Sequence, residues 1–227
     1  MTASEVAVVV GAGPGLGEAL VLRFADAGMS VAAVSRKGLS PQSDGDRRRI
    51  HGYAADATDA GQVKTTFARI IAELGPPDLV VFNVGTWDRA AILDISDELF
   101  ERAWRTGCFA GFLVGRAAAA AMLARGAGTI IFTGATGSVR GGAGFAAFAV
   151  PKFGLRALAQ SMARELGPKG IHVGHVIIDG MIDNAGQADS MTAMGPTAIA
   201  EAYHALHRQP RSAWTHEIDL RPARETF

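Results

Sequence analysis

The chain has 227 residues, 48 % of them hydrophobic, which suits one α/β domain with a sizeable core. A single cysteine, Cys108, excludes an intrachain disulfide and fits a reducing cytoplasm. Lys+Arg and Asp+Glu are both 22, so the basic excess of a nucleic-acid-binding protein is absent; the one basic cluster, Arg47-Arg48-Arg49, reads as a solvated face.

Residues 1–5 lack the basic-then-apolar pattern of a signal peptide and run straight into an apolar, β-branched stretch. That stretch predicts a buried parallel strand over 6–10. Leu16, Leu20 and Phe24 recur at helical spacing, and Gly28 can end their helix. Strands are expected over 31–34, 53–55 and 79–82, with a polar loop at 41–49. Asp59 with Gln62 resembles a capping box for a helix running to about residue 73. Ser96 opens a long helix whose first turn is acidic, as the helix dipole favours. The apolar stretch 117–122 inside it is too short to span a bilayer, so no membrane partner is expected.

A strand over 129–132 leads into a glycine-rich segment, 134–144, and then a helix carrying Phe148 and Lys152 that stops near 167–168. A further strand is expected over 171–178, a partly helical region over 184–209, and a half-buried final strand in which Trp214, Ile218 and Leu220 alternate with polar residues. Strands alternating with helices predict a mainly parallel, doubly wound sheet of about seven strands, covered on both faces. Residues 1–227 read as one Rossmann-like domain, with 183–210 a short substrate-side segment. In such sheets ligands sit at the carboxyl ends of the strands.

The run Val10-Gly11-Ala12-Gly13-Pro14-Gly15-Leu16-Gly17 falls between the first strand and the first helix. Glycines there permit a tight turn and let backbone N–H groups approach a pyrophosphate, and the helix N-terminus adds its positive end. After the second strand stand Ser35, Arg36 and Lys37, with no carboxylate to select a ribose 2′-hydroxyl. A guanidinium suits a 2′-phosphate, so the expected cofactor is NADP(H).

The spacing Gly11-x3-Gly15-x-Gly17 resembles that of the classical short-chain dehydrogenase/reductases, and the likeness extends over nearly the whole chain. The resemblance implies that Asp56, with Ala57 beside it, meets the adenine; a helix-start cap is the other role open to Asp56. It implies that Asn83 and Gly85 stand where the family has Asn-Ala-Gly. It also implies that Lys152 binds the cofactor ribose, and that Gly180 and Ile182 lie near the nicotinamide amide. The Ala-rich segment 117–121 lets helices approach closely, and the family's helices corresponding to it and to the Phe148/Lys152 helix commonly form a subunit interface, so a homodimer or homotetramer is implied.

The family's Tyr-x3-Lys pair shares one helical face, where the ammonium stabilises a tyrosinate for proton exchange. Here the tyrosine position is Phe148, the serine position Ala135, the helical asparagine Gly107 and the proline of the late Pro-Gly motif Asp179. Lys152, Ser138 and Thr136 are the remaining catalytic candidates. Ser138 and Thr136 could equally be loop hydrogen-bonding residues, and Asp179 could serve either a proton or a turn. The expectation is an NADP-dependent oxidoreductase, transferring hydride to a small organic substrate with a non-standard proton donor. The alternative is a catalytically silent NADP(H)-binding sensor or regulatory protein. Met181, Met191, Met194 and Tyr203 hint at an apolar substrate side.

No metal is expected. His172 and His175 are three apart on a strand and face opposite sides. His204 and His207 share a helical face but lack further ligands. Cys108 reads as a buried, inert thiol in mid-helix.

Overall fold

The apolar run at the start of the chain forms β1 (Val6–Val10), buried throughout because helices cover both sides of it. The computed structural model describes residues 4–38, 47–184 and 191–225. α1 (Leu16–Asp26) turns Leu20 and Phe24 fully inward. β2 (Ser30–Ser35) and β3 (Ile50–Ala54) follow, then α2 (Ala60–Leu74), whose N-cap Asp59 accepts the Gln62 N–H at 2.9 Å. β4 (Leu79–Phe82) leads to α3 (Asp97–Trp104), capped by Ser96 accepting the Leu99 N–H at 3.2 Å. A π-helical stretch, Arg105–Phe109, joins α3 to α4 (Ala110–Leu123) without a break. β5 (Gly128–Thr133), α5 (Ala146–Leu166) and β6 (Ile171–Ile178) come next. The two-residue pair β7 (Met181–Ile182) and β8 (Ala193–Met194), α6 (Pro196–His207) and β9 (Glu217–Leu220) complete the described chain.

The main sheet has seven parallel strands in the order β3-β2-β1-β4-β5-β6-β9. Alternation along each strand divides the core into two layers. Val8, Val80 and Ile130 face α2, α4 and α5, whereas Val9, Val81 and Ile131 face α1 and α6. The order reverses between β1 and β4, so the crevice that suits a ligand opens where those two strands end.

Some boundaries differ from the sequence reading. The third strand runs over 50–54, not 53–55, because pairing with β2 recruits Ile50 and His51. Within the expected loop, Arg47–Arg49 forms a 3-10 turn, while 39–46 lies outside the described residues. β9 begins only at Glu217; Trp214 precedes it and stacks on His172 with ring centroids 4.9 Å apart. The apolar stretch 117–122 belongs to the 27-residue helix Asp97–Leu123, which contains an 18-residue stretch of mean hydropathy 1.5 and is long and apolar enough to cross a membrane by length and composition. Half of that stretch is buried, and Leu113, Val114 and Ala118 of the helix lie in the core beneath the sheet.

Candidate functional site

The cradle is built by contacts that only glycine allows. Gly11 has φ +94° at the turn after β1, and a Cβ there would lie 2.5 Å from the Asn83 carbonyl oxygen. A Cβ on Gly17 would lie 2.3 Å from the Gly11 carbonyl oxygen, so α1 packs directly on the turn. Gly13 has nothing of the protein within that reach and opens onto free space. No side chain caps α1, so its first N–H groups suit an anion. A dinucleotide pyrophosphate therefore fits the residues present. Asn184 covers Gly15: its Oδ1 lies 2.1 Å from where a Cβ would be.

β2 ends beside this turn because the Gly11 and Ala12 N–H groups both donate to the Val34 carbonyl, at 2.9 and 3.1 Å. Ser35 is half-buried and Arg36 is exposed at that end. Asp56 follows β3; its Oδ1 accepts both the N–H and the hydroxyl of Thr58 at 2.8 Å, and Asp59 rather than Asp56 caps α2. Ala57 is buried beside it. Ser35, Arg36, Asp56 and Ala57 thus lie at the carboxyl ends of β2 and β3, outside the main cleft.

That cleft has a volume of about 820 Å³ and opens beyond the ends of β4, β5 and β6. Leu16, Gly17, Asn83, Gly85, Thr136, Lys152, Gly180 and Ile182 all line it, bringing residues far apart in the chain to one site. Asn83 Nδ2 donates to the Gly11 carbonyl at 3.2 Å, tying the end of β4 to the cradle. Lys152 is buried, with Nζ donating to the Thr133 carbonyl at 2.8 Å. Burial lowers its pKa to about 8, because a desolvated ammonium loses hydration. Gly85 packs close to that amine: a Cβ there would be 3.3 Å from Nζ.

Thr136 and Ser138 differ in placement. Thr136 lines the cleft, and its hydroxyl donates to Asp179 Oδ1 at 2.5 Å. Asp179 is buried at the end of β6; Arg221 lies 3.0 Å from Oδ2 and Arg140 3.8 Å from Oδ1. Ser138 is fully buried and does not reach the cleft, and its Oγ accepts the Ala135 N–H at 3.1 Å. It shapes the loop. Behind it His175, also fully buried, shares Glu217 with Arg156: Nδ1 lies 2.9 Å from Oε2, and the guanidinium makes two 2.7 Å bonds. Burial lowers the His175 pKa to about 4, against the attraction of Glu217.

Phe148 stands where a phenol would. Its ring is packed at 4.8 Å from Trp87 and 6.4 Å from Phe145, and Trp87 lies 5.4 Å from Phe145. All three line the cleft. Gly107 is buried in the π-helical stretch, and a Cβ there would be 2.9 Å from Pro151 Cβ. Gly107 is therefore a packing match with α5. Trp87, Phe145, Arg140, Asn184 and Glu225 also line the cleft and were not singled out from sequence. An aromatic residue two positions after Gly85 and an arginine inside the glycine-rich segment were the available signals.

The histidines lie apart. His172 Nε2 meets the Thr215 carbonyl at 2.8 Å, His204 meets Arg23 at 2.9 Å, and His207 meets Thr129 at 2.9 Å. Cys108 is half-buried rather than buried, because it sits in the π-helical stretch against Gly154.

A family model described as short chain dehydrogenase matches residues 5–194. The chain is 27 % identical over 223 residues to 2-dehydro-3-deoxy-D-gluconate 5-dehydrogenase of Pseudoalteromonas atlantica, covering 96 % of this chain and 85 % of that one. A short-chain dehydrogenase structure from Rhodopseudomonas palustris is 43 % identical, with a TM-score of 0.85, covering 96 % of this chain and 98 % of that one. At 21 % identity and a TM-score of 0.84, an actinorhodin polyketide ketoreductase with NADPH shares the fold over 99 % of this chain and 98 % of its own.

Proposed function

Because this chain belongs to the short-chain dehydrogenase family, we propose that it is an NADP-dependent oxidoreductase acting on a small organic substrate without a tyrosine proton donor. The observation that carries this reading is the convergence, on one cleft, of the Leu16–Gly17 end of the glycine cradle, the buried Lys152 amine and Thr136, whose hydroxyl is bonded to Asp179 behind the cleft wall. Gly11, Gly13, Gly15, Leu16 and Gly17 would hold the pyrophosphate. Arg36, beside Ser35, would meet the 2′-phosphate, and Asp56 with Ala57 would meet the adenine end. Asn83, Gly85, Lys152, Gly180 and Ile182 surround the ribose and nicotinamide end. The NADPH-bound ketoreductase of the same fold is in keeping with this choice.

The nicotinamide supplies or accepts the hydride. Lys152 sets a positive field at the cleft floor and offers donors to the ribose hydroxyls. The Thr136 hydroxyl is already engaged as a donor to Asp179, so its oxygen is left to act as an acceptor toward a ligand. A proton leaving a substrate O–H or N–H would pass to Thr136 as the Thr136 proton passes to Asp179; reduction runs the same transfers backwards. An activated C=C or C=N bond, which has no carbonyl oxygen for a phenol to protonate, suits this arrangement better than a ketone. Trp104, Phe112, Val150 and Phe153, exposed on the α3–α5 side, suit a subunit interface.

A second reading, a silent cofactor-binding sensor, is favoured by Phe148, Ala135 and Gly107 together. NADPH consumption with carbonyl, enone and imine panels separates the two. Turnover on enones or imines, with carbonyl activity gained in Phe148→Tyr, supports the enzyme. Silence of both proteins on every panel, with NADPH bound, supports the sensor.

A further inference from the structure

Trp87, Phe145 and Phe148 form a continuous aromatic wall on the cleft, with neighbouring ring centroids 4.8 to 6.4 Å apart. Phe148 is almost fully buried, whereas Trp87 remains 68 % exposed and so leaves indole surface of the wall open to a ligand. Two guanidinium groups flank this wall. Arg89 lies over the Phe145 ring at 5.3 Å, and Arg140 lines the cleft with about half of its side chain exposed. Arg140 comes no nearer than 3.8 Å to Asp179, beyond hydrogen-bonding distance, and Asp179 has a closer cation in Arg221. The Glu225 carboxylate also lines the cleft, against Gly180, and repels an anion from that end.

From this juxtaposition we infer that the substrate subsite takes a flat, conjugated carboxylate. Its π system lies on Trp87 and Phe148, and its acid group meets Arg140, with Arg89 reinforcing the positive field. The inference rests on the reading above that the cleft is a substrate site. A planar π system gains from stacking on aromatic faces, where a puckered saturated ring of similar area gains less. A guanidinium binds a carboxylate through two parallel, charge-assisted bonds that a neutral amide cannot match. A conjugated acid also presents a polarised C=C bond, whose reduction asks for a carbon-bound proton rather than protonation of a carbonyl oxygen by a phenol.

Isothermal titration calorimetry of the full chain, with and without NADPH, uses three probes: trans-cinnamate, cinnamamide and 3-cyclohexylpropanoate. Cinnamate is expected to bind about tenfold tighter than either of the others, the size of one charge-assisted contact or one aromatic stack. Arg140→Gln should remove the preference over cinnamamide, and Trp87→Ala the preference over 3-cyclohexylpropanoate. Both residues are exposed enough that folding should survive, and Arg89→Gln, which does not touch Asp179, should weaken cinnamate in the same direction. Equal binding of the three probes, no binding of cinnamate, or a preference unmoved by Arg140→Gln and Arg89→Gln would overturn the inference. NADPH affinity is read in the same experiments. Its retention while cinnamate fails rejects the substrate class alone, and its loss rejects the cofactor reading.

Discussion

The hydroxyl of Thr136, in the loop after β5, donates to the buried carboxylate of Asp179 at the end of β6. This bond joins the loop after β5 to the end of β6, with Thr136 on the same cleft that Phe148 lines. Thr136→Val keeps the side-chain shape but removes the hydroxyl. Turnover should fall about a hundredfold, the lower range for a lost proton-transfer group, while calorimetric NADPH affinity stays within about twofold. Thr136→Ser should recover most of the rate. Wild-type turnover in Thr136→Val would exclude this pair from the reaction.

Gly107 and Pro151 make a separate, structural pair. A methyl group on Gly107 would lie 2.9 Å from Pro151 Cβ, with backbone and ring rather than a flexible tip to displace. Gly107→Ala should cost about 1–3 kcal/mol in denaturant unfolding, as overpacking does. Restoring the family asparagine alone should destabilise the fold before it can contribute any chemistry.

Lys152 gives a pH signature. Its folded pKa is about 8 against an ordinary 10.5, so between these values the unfolded chain binds more protons and stability rises with pH. Below about pH 8 the cost of burying the charged amine is present in full. Lys152→Met should flatten this part of the stability curve, and the difference between the two proteins should span roughly 3 kcal/mol. Parallel curves for the two proteins from pH 8 to 10.5 would contradict the burial of a titrating amine.

The exposed Arg36 provides the cofactor test. Arg36→Ala should weaken NADPH about tenfold or more, the size of a charge-assisted contact, and leave NADH nearly unchanged. Equal losses for the two cofactors would remove Arg36 from the 2′-phosphate.

Much of this arrangement was legible in the sequence. The buried strands carry uninterrupted apolar runs, so 6–10, 79–82 and 171–178 were read with their observed ends. Asp59 and Ser96 marked their helices because N-cap chemistry is local. The cradle was legible because four glycines in a strand-to-helix turn are a local pattern, although the partners that require them, Val34, Asn83 and Asn184, are distant in the chain. What escaped was set by contacts across the fold. Trp214 has the parity of a strand residue but is held by stacking on His172 instead. Ser138 looked available for chemistry, yet its loop turns it inward to meet the Ala135 N–H. The aromatic wall joins Trp87, in the connection after β4, to Phe145 and Phe148 at the start of α5, and no spacing rule brings Trp87 to the other two.

Hydride transfer in a cleft without the phenol is tested most directly with NADPH deuterated at nicotinamide C4, incubated with the purified chain and a conjugated acceptor, with the product analysed by mass spectrometry. One deuterium is expected in the product, bound to carbon, at a rate lowered by Thr136→Val. Unlabelled acceptor recovered intact, from a protein that demonstrably binds NADPH, would contradict it and leave a cofactor-binding protein without a reaction.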